Sequence, residues 1–395
     1  MLNNKFYPLQ GEVGSNTFTP PVQHIWCYVI LDLMKIKTLG LKNYRNCKDI
    51  WLDFSCQKTL IIGKNAQGKT NILESIYLLS DLKSPRTSVM TDLINFDSEG
   101  FEINSTIEKN NTEIELDYSY NQEKKRDFKI NKVKSSSKDF KLVVKTVLFS
   151  TKDLLLLRGA PQDRREWLDR AISQIYPAYD DRVSKYEKIR IQKNNLLKQE
   201  YIDEALLEVY NEQLVITGAN IIFLRKKFLK EIEKLAQIKH KIISDSEIFT
   251  LNYTCPESEI DSICEYLKHQ LVAKRSEEFG RRQSCVGPHR DDIEFRINGI
   301  DAVKFASQGQ QRTLVLALKL AELDIIKEKT GFSPILLLDD VLAELDETRQ
   351  NYLLKSIEEG IQTIITSVDT LLFEDEFLKD VEIYNIENGT IKSSP

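Results

Sequence analysis

Residues 58–80 read KTLIIGKNAQGKTNILESIYLLS, and the architecture follows from this stretch. A short apolar run, Lys58 to Ile62, enters a loop with two glycines. The loop opens a segment with apolar residues at three- and four-residue spacing, so the order is strand, loop, helix. The loop residues Gly63, Lys64, Asn65, Ala66, Gln67, Gly68, Lys69 and Thr70 match GxxxxGK[ST] at every fixed position. Gly63 and Gly68 let the backbone wrap closely, so that N–H groups and the positive end of the following helix point inward at phosphates. Lys69 supplies a mobile positive charge for β- and γ-phosphates, and Thr70 offers a hydroxyl to Mg²⁺. The expected ligand is ATP or GTP.

A second segment supplies acid. Pro334 to Asp340 reads PILLLDD, a continuous apolar run of the kind a strand buried on both faces requires, ending in two carboxylates. Asp339 would hold Mg²⁺, directly or through water. Asp340 would orient or deprotonate the attacking water and is the candidate catalytic residue. An acidic strand-to-helix turn favoured only by the helix dipole would look the same in isolation. A third segment shifts the balance. FASQGQQRTL (305–314) opens an apolar helix, and Ser307 with Gly309 at its start makes another anion-binding nest. One nucleotide does not need two nests. The second suits a nucleotide held by a neighbouring subunit.

Outward from these motifs the chain divides. Residues 1–33 are polar, contain Pro20-Pro21 and lack periodicity, which reads as a flexible extension or a misassigned start. Residues 34–150 form the first half of a nucleotide-binding head, with a β-rich part over 101–150 (FEINSTI, TEIELDYSY, FKIN, LVVKTVLFS). Residues 151–284 read as an α-helical arm: long stretches without Gly or Pro, apolar spacing at Leu206, Tyr210 and Leu214, and a break near Glu200 to Asp203. Residues 285–395 return to the head, with a last apolar strand at Gln362 to Ser367. The fold class is therefore α/β, a P-loop head with a mixed sheet and a β-rich subdomain, interrupted by a helical arm.

These residues resemble the RecF family of SMC/ABC-type ATPase heads. SQGQQR, an apolar helix and then LLLDDVLAELD look like the signature helix, acidic strand and D-loop of such heads. LKNYRN, GKNAQGKTN, LLLLRGAPQDRREWLD (154–169), NNLLK (194–198) and VGPHRDD (286–292) agree in spelling and order over about residues 35 to 370. The resemblance implies ATP as the nucleotide, with Ser307, Gln308 and Gly309 on the γ-phosphate of the partner subunit's ATP. Ala343 to Asp346 would be the D-loop. It further implies an ATP-dependent homodimer that binds DNA, works with RecR and RecO, and helps load RecA at gapped replication forks, within DNA repair, recombination and the SOS response. Such a protein is cytoplasmic and nucleoid-associated, with weak DNA-stimulated ATP hydrolysis as a reset. Three features depart from ABC heads. Asp340 stands where Glu is usual, no glutamine lies between Gln67 and Gln122 to serve as a Gln loop, and ITSVD (365–369) lacks a switch histidine. Thr366 or Ser367 is left as the polar candidate there, and slow hydrolysis is the natural consequence.

Composition bounds these expectations. The 395 residues are 41% hydrophobic and 29% charged with net charge −5, so any DNA contact must come from a local patch. Lys124 to Lys145 is the strongest local excess, nine basic residues against Asp127 and Asp139. Lys124, Lys125, Arg126, Lys129, Lys132 and Lys134 are the candidate DNA contacts, suited to backbone phosphates and not to base reading. Smaller clusters occupy Arg158 to Arg165 and Lys274 to Arg282. The six cysteines show no CxxC pair and the four histidines are scattered, so no zinc site is indicated. No apolar run approaches the ~20 residues of a membrane span. Two other classes share such a head. A transporter cassette is disfavoured by the inserted arm, the altered signature and the basic stretch. A structural SMC-type protein would need a far longer coiled coil.

Overall fold

The computed structural model describes residues 34–123, 125–244, 247–357 and 360–392; the stretch 1–33 and Lys124 lie outside the described residues. In chain order, β1 (Met34–Tyr44) and β2 (Cys47–Asp53) precede β3 (Lys58–Ile62) and α1 (Lys69–Asp81). Then come β4 (Gly100–Lys109), β5 (Thr112–Asn121), β6 (Arg126–Ile130), β7 (Val133–Lys134), α2 (Ser137–Val143) and β8 (Thr146–Ser150). The helices α3 (Pro161–Ile175), α4 (Tyr179–Leu197) and α5 (Glu204–Ile243) follow. Next are β9 (Phe249–Tyr253), α6 (Ile260–Ala273), α7 (Arg275–Arg281), β10 (Ile293–Ile297), β11 (Ile300–Asp301), α8 (Ala302–Phe305) and α9 (Gln308–Thr330). The chain closes with β12 (Ile335–Asp339), α10 (Glu347–Ser356), β13 (Thr363–Ser367), α11 (Asp375–Leu378), β14 (Val381–Glu387) and β15 (Thr390–Lys392).

The central sheet has the order β15-β14-β3-β13-β12-β8, parallel except for the β14–β15 hairpin. Its strands are apolar on both faces because both are covered. Ile335, Leu337 and Ile364 pack with α1 and the first sheet, while Leu336, Leu338 and Ile365 pack with α3, α5 and α9. The first sheet is antiparallel, β2-β1-β4-β5-β6-β7, with its apolar face on the same core as α1. A third, small sheet is β11-β10-β9.

The stretch LVVKTVLFS, read as one more strand of the β-rich part, splits: its first two residues end α2, and β8 leaves that subdomain to pair in parallel with β12. The apolar run is the same in either sheet, so only the partner decides. Gln362 to Ser367 is also not the last strand, because β14 and β15 follow and extend the sheet beyond β3.

The helix break falls between Leu197 and Glu204, where Asp203 caps α5 by accepting from Leu206 N–H at 3.0 Å. With 40 residues, α5 runs about 60 Å. It lies against α9: Phe228, Leu229, Ile232 and Ala236 share one buried cluster with Leu318 and Leu323. Between α5 and α6 the strand β9 pairs with β10 over Phe249–Tyr253, joining the inserted stretch to the second half of the head through a backbone ladder. No helix among the described residues is long and apolar enough to cross a membrane.

Candidate nucleotide site

The loop Gly63–Gly68 sits at the carboxyl end of β3, where α/β sheets place ligands. Gly68 adopts φ 116°, closed to other residues, and a Cβ there would meet Asn46 Oδ1 at 2.9 Å. A Cβ on Gly63 would lie 2.5 Å from the Ile386 carbonyl oxygen. The loop is clamped from outside. Gln67 O accepts from Asn46 Nδ2 at 3.2 Å and from Gly389 N–H at 2.9 Å, and Gln67 Oε1 accepts from Asn388 N–H at 2.6 Å. Lys69 is 3% exposed; its Nζ donates to Gly63 O at 2.8 Å and lies 3.8 Å from Asp340 Oδ2. The ammonium is thus held over the loop by the loop's own backbone.

Strand register brings the acidic pair to the same place. Asp339 stands beside Thr366 on β13 and Ser150 on β8. Thr70 Oγ1 donates to Asp339 Oδ1 at 2.8 Å, and Thr366 Oγ1 is 3.1 Å from the same oxygen. Thr366 Oγ1 also accepts the Asp340 N–H at 2.9 Å, holding Asp340 at φ 50°, a left-handed conformation that costs a non-glycine residue about 1 kcal/mol. Burial pushes the Asp339 carboxyl up from its ordinary range, against the hydrogen bonds from Thr70 and Thr366, and Asp340 adds repulsion in the same direction. A cation here would relieve that cost. Two hard oxygen donors, Thr70 Oγ1 and Asp339, fit Mg²⁺, which keeps its remaining positions for phosphate oxygens and water.

The second nest is built at the start of a different helix. Ser307 caps α9: its Oγ accepts from Gln310 N–H at 3.2 Å, and Gln310 Oε1 accepts from Ser307 N–H at 2.8 Å. Among the described residues no hydrogen bond or ion pair joins Ser307, Gln308 or Gly309 to residues 63–70, and Ser307 and Gln308 are exposed. Sequence reasoning passed over Arg349. From α10 it donates Nη2 to Gly309 O at 2.9 Å and Nε to Thr313 Oγ1 at 2.8 Å, while pairing with Asp346. The acidic residue at a helix start with Arg three places on was the available signal. Arg349→Ala should weaken ATP-driven self-association about tenfold while loop affinity for ATP changes less than twofold, read by light scattering and calorimetry.

The strand end beside Asp339 is polar, and Gln174 lines the same cavity as Asp339. Ser150 N–H and Oγ both donate to Asp153 Oδ2 at 2.8 Å, and Asp153 pairs with Lys319 of α9 at 2.9 Å. Burial opposes ionisation of Asp153, but Lys319 and Ser150 overcome it and hold the carboxyl below its usual range.

The basic stretch is less cationic than its composition. Lys125 pairs with Glu123, Lys129 and Lys134 lie 3.9 and 3.8 Å from Asp127, and Lys132 is 3.5 Å from Glu115 across the β5–β6 ladder. These side chains and Arg126 remain at the surface, whereas Lys141 turns to Asp81 and Asp180 and Lys145 is buried. Burial, with Lys141 and Lys109 nearby, pushes the Lys145 ammonium down to about 8. A depressed lysine costs stability below its folded pKa. Lys145→Met should therefore stabilise the protein by about 2 kcal/mol at pH 7. The gain should shrink as pH rises from 8 towards 10.5, where unfolded lysine also loses its proton, measured by thermal melts across pH.

This combination of phosphate loop, acidic strand, separate helix-start nest and two-faced sheet defines an ABC-type ATPase head with an inserted helical segment. The model of the RecF/RecN/SMC N-terminal domain matches residues 33–392. The "DNA replication and repair protein RecF" of Streptococcus gordonii is 42% identical over 364 residues, 91% of this chain and all of that one. That of Thermosynechococcus vestitus is 40% identical over 91% of this chain and 97% of its own. A structure described as RecF-ATP in the RecFOR pathway superposes with TM-score 0.84 at 34% identity, covering 93% of this chain and all of that chain. An SMC head bound to part of ScpA, 14% identical with TM-score 0.51, shares the fold. The chain belongs to the RecF family of DNA replication and repair proteins.

Proposed function

We propose that this chain is an ATP-controlled DNA-binding protein of recombinational repair. Gly63–Thr70 bind the ATP phosphates; Lys69 neutralises the β- and γ-oxygens, and Thr70 with Asp339 would hold Mg²⁺, which would supply positive charge against the phosphate oxygens. Asp340, kept in place by Thr366, orients the attacking water. Its side chain, one methylene shorter than the usual Glu, makes turnover slow and casts hydrolysis as a reset. Two chains close around two ATP molecules, and Ser307, Gln308 and Gly309 of each reach the γ-phosphate held by the other. The closed dimer binds DNA through basic surface such as Lys125, Arg126, Lys129, Lys132 and Lys134, and with RecR and RecO helps load RecA at gapped forks. One observation carries the two-subunit reading: the Ser307 nest is built and capped, yet among the described residues it forms no hydrogen bond or ion pair with the chain's own phosphate loop. The RecF-ATP neighbour supports the choice of nucleotide.

The test is binding to single-stranded, duplex and gapped DNA with and without ATP. At least a tenfold gain in affinity with ATP, together with a rise to dimer mass, is expected. ATP-independent binding by a monomer would refute the reading.

A further inference from the structure

Two segments quoted for the resemblance, 154–169 and 286–292, are not used by the nucleotide site just described. They meet at an open cavity of about 460 Å³ between α3, α4, α5 and the loop 283–290. Four guanidinium groups line it, those of Arg165, Arg190, Arg225 and Arg290. Two are already engaged. Arg225 forms a fork on Asp169 at 2.8 and 2.9 Å and donates to Pro288 O at 2.7 Å; Arg190 holds Glu187 at 2.9 and 2.6 Å. The other two contact only backbone. Arg165 gives Nη1 to Asp291 O at 2.7 Å, and Arg290 gives Nε and Nη2 to Ser284 O at 3.4 and 3.2 Å. Among the described residues neither has a carboxylate within ion-pair distance. The remaining acid on the wall, Glu166, accepts from Gln162 at 2.8 Å.

The floor is rigid. Gly287, at φ 121°, brings the loop so near that a Cβ would fall 2.2 Å from Tyr186 Oη. His289 Nε2 lies 3.2 Å from the Ser284 carbonyl oxygen, which can only accept, so Nδ1 takes the Tyr186 hydroxyl at 2.6 Å. The ring is neutral: burial, then Arg190, Arg290 and Arg165, depress its pKa to about 3. Of the basic cluster Arg158 to Arg165, only Arg165 reaches this wall: Arg158 donates to Gln311 Oε1 at 2.8 Å and Arg164 forks onto Asp292 at 2.8 Å.

We propose that this cavity is a phosphate site for the DNA backbone, distinct from the nucleotide loop, in which Arg165 and Arg290 grip backbone phosphates. The inference rests on the DNA-binding function proposed above. Guanidinium groups that lack a carboxylate partner match phosphate oxygens and are indifferent to base identity. Two guanidinium groups without carboxylate partners on one wall suit backbone phosphates, and the volume admits a sugar-phosphate unit.

The test uses the full chain with labelled 30-residue single-stranded and duplex DNA in ATP. The double variant Arg165→Gln/Arg290→Gln should weaken duplex binding about tenfold and lower the slope of log affinity against log salt by ~0.9–1.8, one or two lost phosphate contacts. ATP affinity, unchanged, shows that the fold is intact, and Arg290→Glu alone, at an exposed position, should also weaken duplex binding several-fold. Wild-type binding with no change in either variant overturns the site and leaves the DNA reading standing. No DNA binding by wild type overturns both. Pyrophosphate binding, measured in Lys69→Ala protein and abolished by the double variant while DNA binding is unchanged, would make it a small-anion site and also overturn the proposal.

Discussion

Lys69→Ala is expected to lower ATP affinity at least a hundredfold, and Asp340→Asn to keep ATP bound while turnover falls at least a hundredfold. The first effect follows from a nearly buried ammonium aimed at the phosphates. Truncating one partner of a buried charged pair costs roughly 2–5 kcal/mol. The readout is thermal stabilisation. ATP at about a hundred times Kd stabilises by ~2.7 kcal/mol, and by only ~0.4 kcal/mol once Kd has risen a hundredfold. For a chain of this length these correspond to shifts of ~3 °C and under 1 °C. The second effect isolates chemistry from binding. Among the described residues Asp340 pairs with Lys69 at 3.8 Å and its backbone is held by Thr366, so an amide leaves the site assembled and removes the carboxylate proposed to orient the water. Normal turnover by Asp340→Asn would remove Asp340 from the mechanism.

What could be read from the sequence was whatever is contiguous. The loop 63–70, the strand ending in Asp339 and Asp340 and the cap at Ser307 each lie within a few residues, and local geometry follows from local spelling. The relations among them do not. Thr366 reaches Asp339 because β13 lies beside β12 in one particular register, and Ser150 faces Asp339 from a strand that the sequence had placed in another sheet. Arg349 serves the Ser307 nest from forty residues beyond Gly309. The basic stretch was overstated for the same reason: Glu115, which pairs with Lys132, arrives from the neighbouring strand. The β9 strand, five residues between long helices, carries too short an alternation to stand out.

Mixing two inactive proteins should restore activity, and this result bears most directly on the shared site. Lys69 sits on the chain's own loop, and among the described residues Ser307 forms no hydrogen bond or ion pair with that loop. In a closed two-fold assembly each site then takes Lys69 from one chain and Ser307 from the other. Homodimers of Lys69→Ala carry a lesion in both sites, as do homodimers of Ser307→Arg. A heterodimer gathers both lesions into one site and leaves the second intact. With equal mixing, half the dimers are heterodimers with one good site in two, so hydrolysis should return to about a quarter of wild type. Closure with one functional site is weaker than with two, so association by light scattering should recover only in part. Ser307→Arg keeps its own loop whole, so its ATP-induced melting shift should match wild type, which separates a trans defect from misfolding. If Ser307 and Lys69 served one nucleotide within one chain, no mixture could rebuild a site. Absence of recovery in both assays would refute the two-subunit site and leave a monomeric ATPase.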